Sequence, residues 1–171
     1  MSVPIILSIA GSDPSGGAGI QADLKTFSAL RTYGTAVITA LTAQNTTGVT
    51  GVHVVPAGFV TEQLETLVAD VRIDAIKIGM LANTEIVAAV AGFLAGRCSD
   101  RVVLDPVMVA TSGDPLLSVA ATDAMRDLLP AASVITPNLA EAAVLLGGPI
   151  ARSVADMHEQ AHSLRRLGAQ R

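Results

Sequence analysis

The sequence is short of most residue types that announce a function by composition alone. It has no Trp, and aromatic residues make up 2% of its 171 positions. Proteins that grip single-stranded nucleic acid need exposed aromatic platforms, so that class is disfavoured. An excess of positive charge is also missing. Eleven basic residues against 15 acidic ones leave a net charge of -4, without the basic face of a nucleic-acid binder. Cysteine occurs once, as Cys98, so no intramolecular disulfide can form and a reducing, cytoplasmic setting is expected. No apolar run approaches the roughly 18 residues of a membrane helix. No basic segment precedes the short run from Ile5 to Ala10, as a secretory leader requires. Nine of the 11 basic residues are Arg, which reads as coding bias before function. What the chain does have is aliphatic bulk. Half its residues are hydrophobic and 15% are charged, which excludes a disordered chain. A domain of this length buries about 70% of its unfolded surface, here with Ala, Val, Leu and Ile. A single domain, residues 1–171, is the expectation.

Short apolar runs alternate with helical patterns. Val3–Ala10 reads as a strand buried on both faces, and Gly11–Ala18 as a Gly-, Ser- and Pro-rich loop. Gly19–Leu30 has helical apolar spacing, and Thr35–Ala43 reads as one β-branched strand. A polar turn at Asn45–Gly51 and a short edge strand at Val52–Val55, ended by Pro56, follow. Helices are expected at Val60–Val71, Thr84–Ala95, Ser118–Leu129, Asn138–Leu146 and Ser153–Leu167. Strands are expected at Asp74–Gly79, Arg101–Asp105 and Ser133–Thr136. Strands separated by helices predict a mostly parallel sheet with helices on both faces. Ligands of such sheets bind at the carboxyl ends of strands. The segments to watch are therefore Gly11–Gly19, Gln44-Asn45, Gly79-Met80, Asp105–Asp114 and Thr136–Glu141. The series stops just past a helix, where a strand is due, so a C-terminally incomplete domain is expected.

Several motifs carry two readings. The loop Gly11–Gly19 lets backbone approach a ligand, and the helix after it offers free N–H groups. It nearly matches a dinucleotide fingerprint, Gly17-x-Gly19-x-x-Ala22, yet the next strand ends in Gln44-Asn45 and lacks the ribose-binding acid. It is not a Walker A loop, and it also reads as a plain glycine-rich turn. His158-Glu159-Gln160-Ala161-His162 has the zinc-protease spacing, but no His, Asp, Glu or Cys follows to complete a metal site. A solvated helix face is the simpler reading. Asn138 and Glu141 lie on one helical face and suit magnesium beside phosphates, or form a capping box without a ligand. Asp105 ends a strand, where it serves a phosphate site or makes a turn. Asp23 faces a pocket or complements a helix dipole. The Gln44 amide both donates and accepts, which suits a pyrimidine edge, or it bonds backbone. Met80 and Val107 are placed to pack on a flat ring, or belong to the core.

Taken together, these segments resemble one family. The run from Ser8 to Asp13 followed by Ser15–Asp23 looks like the opening of the hydroxymethylpyrimidine/phosphomethylpyrimidine kinases. Thr39–Thr46, Lys77–Leu81, Leu104–Met108, Gly113–Leu117 and Thr136–Ala142 complete the likeness, in order, over essentially the whole chain. The resemblance implies a ribokinase-like α/β fold and a place in thiamine biosynthesis. It implies ATP-dependent phosphorylation of 4-amino-5-hydroxymethyl-2-methylpyrimidine, and of its monophosphate. By resemblance, Gln44 reads the aminopyrimidine edge and Asp23 sits near the hydroxymethyl end. Gly11, Ala18, Met80 and Val107 line the ring. Asn138 and Glu141 organise magnesium, through water, together with the phosphates, and Asp105 supports that site. A homodimer is implied, with no nucleic-acid or membrane partner.

The sequence departs from the family in one respect. Family members continue through a Lys-Gly-Gly strand and a Gly-Thr-Gly-Cys or Gly-Thr-Gly-Asp anion-hole loop, which these 171 residues do not include. That loop carries the family's catalytic residue, so no catalytic residue is assigned, and weak or no turnover is expected of this chain alone. Two rival readings stand beside the kinase. One is a non-catalytic pyrimidine- or pyridoxal-binding remnant, the other an oxidoreductase using a nucleotide cofactor on the glycine loop.

Overall fold

A computed structural model of the chain describes residues 3–95, 101–108, 119–168 and 170. Cys98 and Gly113–Leu117 lie outside the described residues. The first strand, β1 (Ile5–Ala10), leads through the glycine loop to α1 (Gly19–Ala29) and β2 (Tyr33–Ile38). A hairpin of β3 (Ala40–Gln44) and β4 (Val49–Val54) follows. Then come α2 (Ala57–Val68), β5 (Ala75–Ile78), α3 (Thr84–Ala95), β6 (Val102–Leu104) and α4 (Val119–Leu128). A short 3-10 turn at Leu129–Ala131 precedes β7 (Val134–Ile135), α5 (Leu139–Leu146) and α6 (Val154–Arg166).

Five strands form one sheet in the order β2-β1-β5-β6-β7, and every pairing in it is parallel. The chain steps one way from β1 to β2, then the other way through β5, β6 and β7. Right-handed crossovers then put α1 on one face and α2, α3 and α4 on the other. The packing agrees, because α1 contacts β1 and β2, while α2 packs on α3 and α3 on α4. The core is aliphatic, with Leu7, Ile9, Ile78, Leu81, Ile86 and Leu104 wholly buried. Where the chain order reverses, the loops after β1 and β5 turn to opposite faces and leave a crevice at the strand ends.

The expected single strand Thr35–Ala43 is in fact two strands in two sheets. The break falls at Thr39, which is wholly buried. Its N–H donates to the Ala10 carbonyl (3.0 Å), its hydroxyl donates to the Met80 carbonyl (2.6 Å), and its carbonyl accepts from Val55 N–H (2.9 Å). Three distant segments are thus joined at one residue, and the chain turns out of the parallel sheet. At the end of β2, the Gln63 amide from α2 accepts from Ile38 N–H and donates to Ile38 C=O, taking the place of a neighbouring strand. The edge strand expected at Val52–Val55 is longer, starts at Val49, and pairs antiparallel with β3. Asn45 closes the turn between them by accepting from Thr47 and Gly48 N–H. The helix expected at Val60–Val71 starts three residues earlier, directly after Pro56.

The last two helices open as their sequences suggest. Asn138 and Glu141 form a capping box on α5, and Ser153 and Asp156 form one on α6. Gly147 ends α5 at φ 62°, and Arg126 from α4 donates to the carbonyls of Leu145 and Val144 beside it. The carboxyl end of α5 is therefore held by α4, which helps to fix the helix whose start faces the crevice.

Candidate active site

The crevice is a cleft of about 870 Å³ at the carboxyl ends of the sheet strands. It brings together all nine residues singled out from sequence. Gly11 and Ala18 come from the first loop, Asp23 from α1, Gln44 from β3 and Met80 from the end of β5. Asp105 and Val107 follow β6, while Asn138 and Glu141 open α5. A Cβ on Gly11 would lie 2.9 Å from the Met80 Cε, so those two residues already meet across the cleft.

The glycine loop is shaped by Asp13, which is 2% exposed. Its carboxylate accepts from the N–H groups of Ser15 (2.9 Å), Gly17 (3.0 Å) and Ala18 (2.8 Å), and from the Ser15 hydroxyl. Burial pushes the Asp13 pKa up, but the hydrogen bonds from Ser15, Ala18 and Gly17 outweigh it and hold the carboxyl below its ordinary value. Two of these donors, Gly17 and Ala18, lie in the dinucleotide-like stretch Gly17–Ala22. Gly17 and Ala18 N–H are taken by Asp13, and Ile20 N–H by the Gly11 carbonyl (3.0 Å). Three N–H groups of the dinucleotide-like stretch, those of Gly17, Ala18 and Ile20, are thus already bonded within the chain. Gly19 needs to be glycine: its φ is 55°, and a Cβ would fall 2.4 Å from the Gly11 carbonyl oxygen.

Across the cleft, the described residues set the carboxylates of Asp23, Asp105 and Glu141 against the Lys77 ammonium. Lys77 Nζ lies 3.2 Å from Asp23 Oδ2 and 3.9 Å from Asp105 Oδ2. Asp23 Oδ2 also accepts from the Ser8 hydroxyl at 2.6 Å. Burial pushes the Asp105 pKa up, against the Lys77 charge and a Thr136 hydroxyl hydrogen bond, and the nearby Asp23 charge adds to the rise. Burial likewise raises Glu141, aided by the Asp105 charge and opposed by N–H groups of Asn138 and Met108. Glu141 Oε2 accepts from Asn138 N–H (2.9 Å), and Asn138 Oδ1 accepts from Glu141 N–H (2.9 Å). The capping box is therefore real, and it anchors the same carboxylate that faces the cleft.

Sequence reasoning passed over Lys77, Asp13 and Thr42. Lys77 had a signal, being the one charged side chain inside the strand Ala75–Ile78. Asp13 had only the glycines around it. The His158/His162 pair is exposed on α6, and no group of three His, Cys, Asp or Glu able to hold a metal occurs among the described residues.

Solved structures place this architecture among the ribokinase-like α/β kinases. Phosphomethylpyrimidine kinase from Clostridium difficile 630 superposes with a TM-score of 0.89 at 43% identity, covering 97% of this chain and 72% of its own. The ADP complex of Bacillus subtilis pyridoxal kinase gives 0.89 at 39% identity, covering 99% and 64%. Pyridoxal kinase from Staphylococcus aureus in complex with AMP-PCP gives 0.88 at 40% identity, covering 99% and 62%. The profile of the phosphomethylpyrimidine kinase family matches residues 13–171, and the chain belongs to that family. The hydroxymethylpyrimidine/phosphomethylpyrimidine kinase of Escherichia coli K12 is 60% identical over 163 residues, which are 95% of this chain and 61% of that protein. The chain thus spans about three fifths of the length of the curated relatives it matches.

Proposed function

We propose that the protein phosphorylates the hydroxymethyl group of 4-amino-5-hydroxymethyl-2-methylpyrimidine, and then the monophosphate, with ATP as donor. One observation carries the reading. A single cleft joins a slot of small and apolar groups ending in an amide to a wall of underneutralised carboxylates. Gly11, Ala18, Met80 and Val107 take the flat ring, and Gln44 reads its amino edge. Asp23 orients the hydroxymethyl group. Its Oδ2 is held by Ser8 and Lys77, and no partner of Oδ1 is found among the described residues.

Asp105 and Glu141 present oxygen donors whose pKa values are raised by burial and by a neighbouring carboxylate, Asp23 beside Asp105 and Asp105 beside Glu141, an arrangement that a divalent cation relieves. Magnesium fits there, with Asn138 and Glu141 holding it through water because their capping bonds are already made. When bound, it neutralises charge on the phosphate oxygens. We assign no catalytic base to these residues. A cytoplasmic homodimer goes with the family resemblance, and no helix among the described residues is long and apolar enough to cross a membrane.

Calorimetric titration of the chain with the hydroxymethylpyrimidine tests the reading, followed by ADP release from Mg-ATP with and without it. Saturable binding is expected, with affinity reduced about 10- to 100-fold in Gln44→Ala. Absence of pyrimidine binding by the wild-type chain would overturn the reading. Unchanged affinity in the variant would remove Gln44 from the site.

A further inference from the structure

One buried hydroxyl in the cleft has no part in the reading above. Thr42 is 9% exposed and lies two residues before Gln44 on β3. Its Oγ1 is 2.8 Å from the Ser12 carbonyl oxygen and 3.2 Å from the Gln44 amide oxygen. A hydroxyl has one proton to give. The carbonyl can only accept and is the nearer of the two. Ser12 is itself pinned to the hairpin, since its N–H donates to the Ala40 carbonyl (2.9 Å). The Thr42 proton therefore belongs to Ser12. A lone pair of Thr42 then faces Gln44, and two acceptors in contact repel. Half a turn of the Gln44 amide leaves its shape unchanged and replaces that repulsion with donation from Nε2 to Thr42 Oγ1. The result is a directed chain, from Gln44 Nε2–H to Thr42 Oγ1 and from Thr42 O–H to Ser12 C=O.

We propose that Thr42 is a specificity-determining residue that locks the Gln44 amide in one orientation, so that the cleft selects a 4-aminopyrimidine over its 4-oxo counterpart. The assignment rests on the pyrimidine reading above. An aminopyrimidine edge donates from its amino group and accepts at the neighbouring ring nitrogen. The locked amide meets it with Oε1 as acceptor and its second N–H as donor. The oxo form reverses both positions. To bind it, Gln44 must turn over, which sets Oε1 against the Thr42 lone pair and leaves the amide mismatched.

Isothermal titration of the chain with the two pyrimidines tests this. The wild-type chain is expected to prefer the amino form by about 10- to 100-fold. Thr42→Val keeps the volume and removes the hydroxyl, and is expected to reduce that preference to about 3-fold or less. Thr42→Ser restores the hydroxyl and is expected to keep the wild-type ratio, which a purely structural role does not explain. Should Thr42→Val fail to fold, Thr42→Ala gives the same readout. A wild-type preference that survives in Thr42→Val overturns the assignment while leaving the pyrimidine reading intact. Equal binding of both forms by the wild-type chain also overturns it. Binding of neither form removes the pyrimidine reading, and this assignment with it.

Discussion

On the glycine-loop side of the cleft, Asp13 accepts three backbone N–H bonds and a hydroxyl, and its pKa is lowered. On the opposite side, Asp105 and Glu141 are pushed up by burial, and each feels the charge of a neighbouring carboxylate. All three line the same space. The first wall spends its carboxylate on its own backbone, so the loop is preformed and has few donors left for an anion. The second wall leaves carboxylate charge unbalanced among the described residues, where Lys77 bridges Asp23 and Asp105. A satisfied carboxylate fixes shape, whereas an unsatisfied one is available to a ligand or a cation.

Removing the satisfied carboxylate tests that contrast most strongly. Asp13→Ala is expected to cost about 3 kcal/mol in urea unfolding, because three partly buried N–H bonds to one buried carboxylate are lost together. A loss below about 1 kcal/mol would mean that the loop does not depend on Asp13. The lowered Asp13 pKa also sets a pH window. Its stabilisation is fully present above the unfolded value near 3.8 and is lost as pH falls through the folded value.

Gly19→Ala addresses the same wall through the backbone. With φ at 55° and the Gly11 carbonyl in the way, it is expected to cost about 2 kcal/mol or more, measured by the same unfolding curve. The smallest effect, opposite in sign, is expected on the other wall. Asp105→Asn removes a carboxylate whose ionisation the fold disfavours, so at pH 7 it should stabilise slightly, by under about 1 kcal/mol given its partial exposure. A raised folded pKa destabilises fully only above that folded value, and the penalty vanishes below the unfolded one. The gain should therefore disappear as pH falls toward 3.8, and a gain that persists there would remove the ionisation argument.

Much of the frame was readable from local pattern. The helix Thr84–Ala95 runs as its apolar spacing predicts, and α5 starts and stops on the signals at Asn138 and Gly147. Strand-end positions placed nine residues on one cleft because parallel α/β sheets gather their strand ends at one edge. The break at Thr39 was not readable. Its β-branched surroundings continue the strand pattern, and its partners Ala10, Met80 and Val55 lie far away in sequence. Lys77 has the same limitation. The sequence shows a lone charge in an apolar strand, but its bridge to Asp23, 54 residues away, exists only after folding.

The sequence by itself determined the alternation of strands and helices, the caps of the last two helices and the family. Those rest on periodicity, hydrogen bonds between near neighbours and the residues of short segments. Only the tertiary structure decided which carboxylates are satisfied and which are not. Ionisation depends on burial and on the groups within a few ångströms, and here those groups come from five separate stretches of chain.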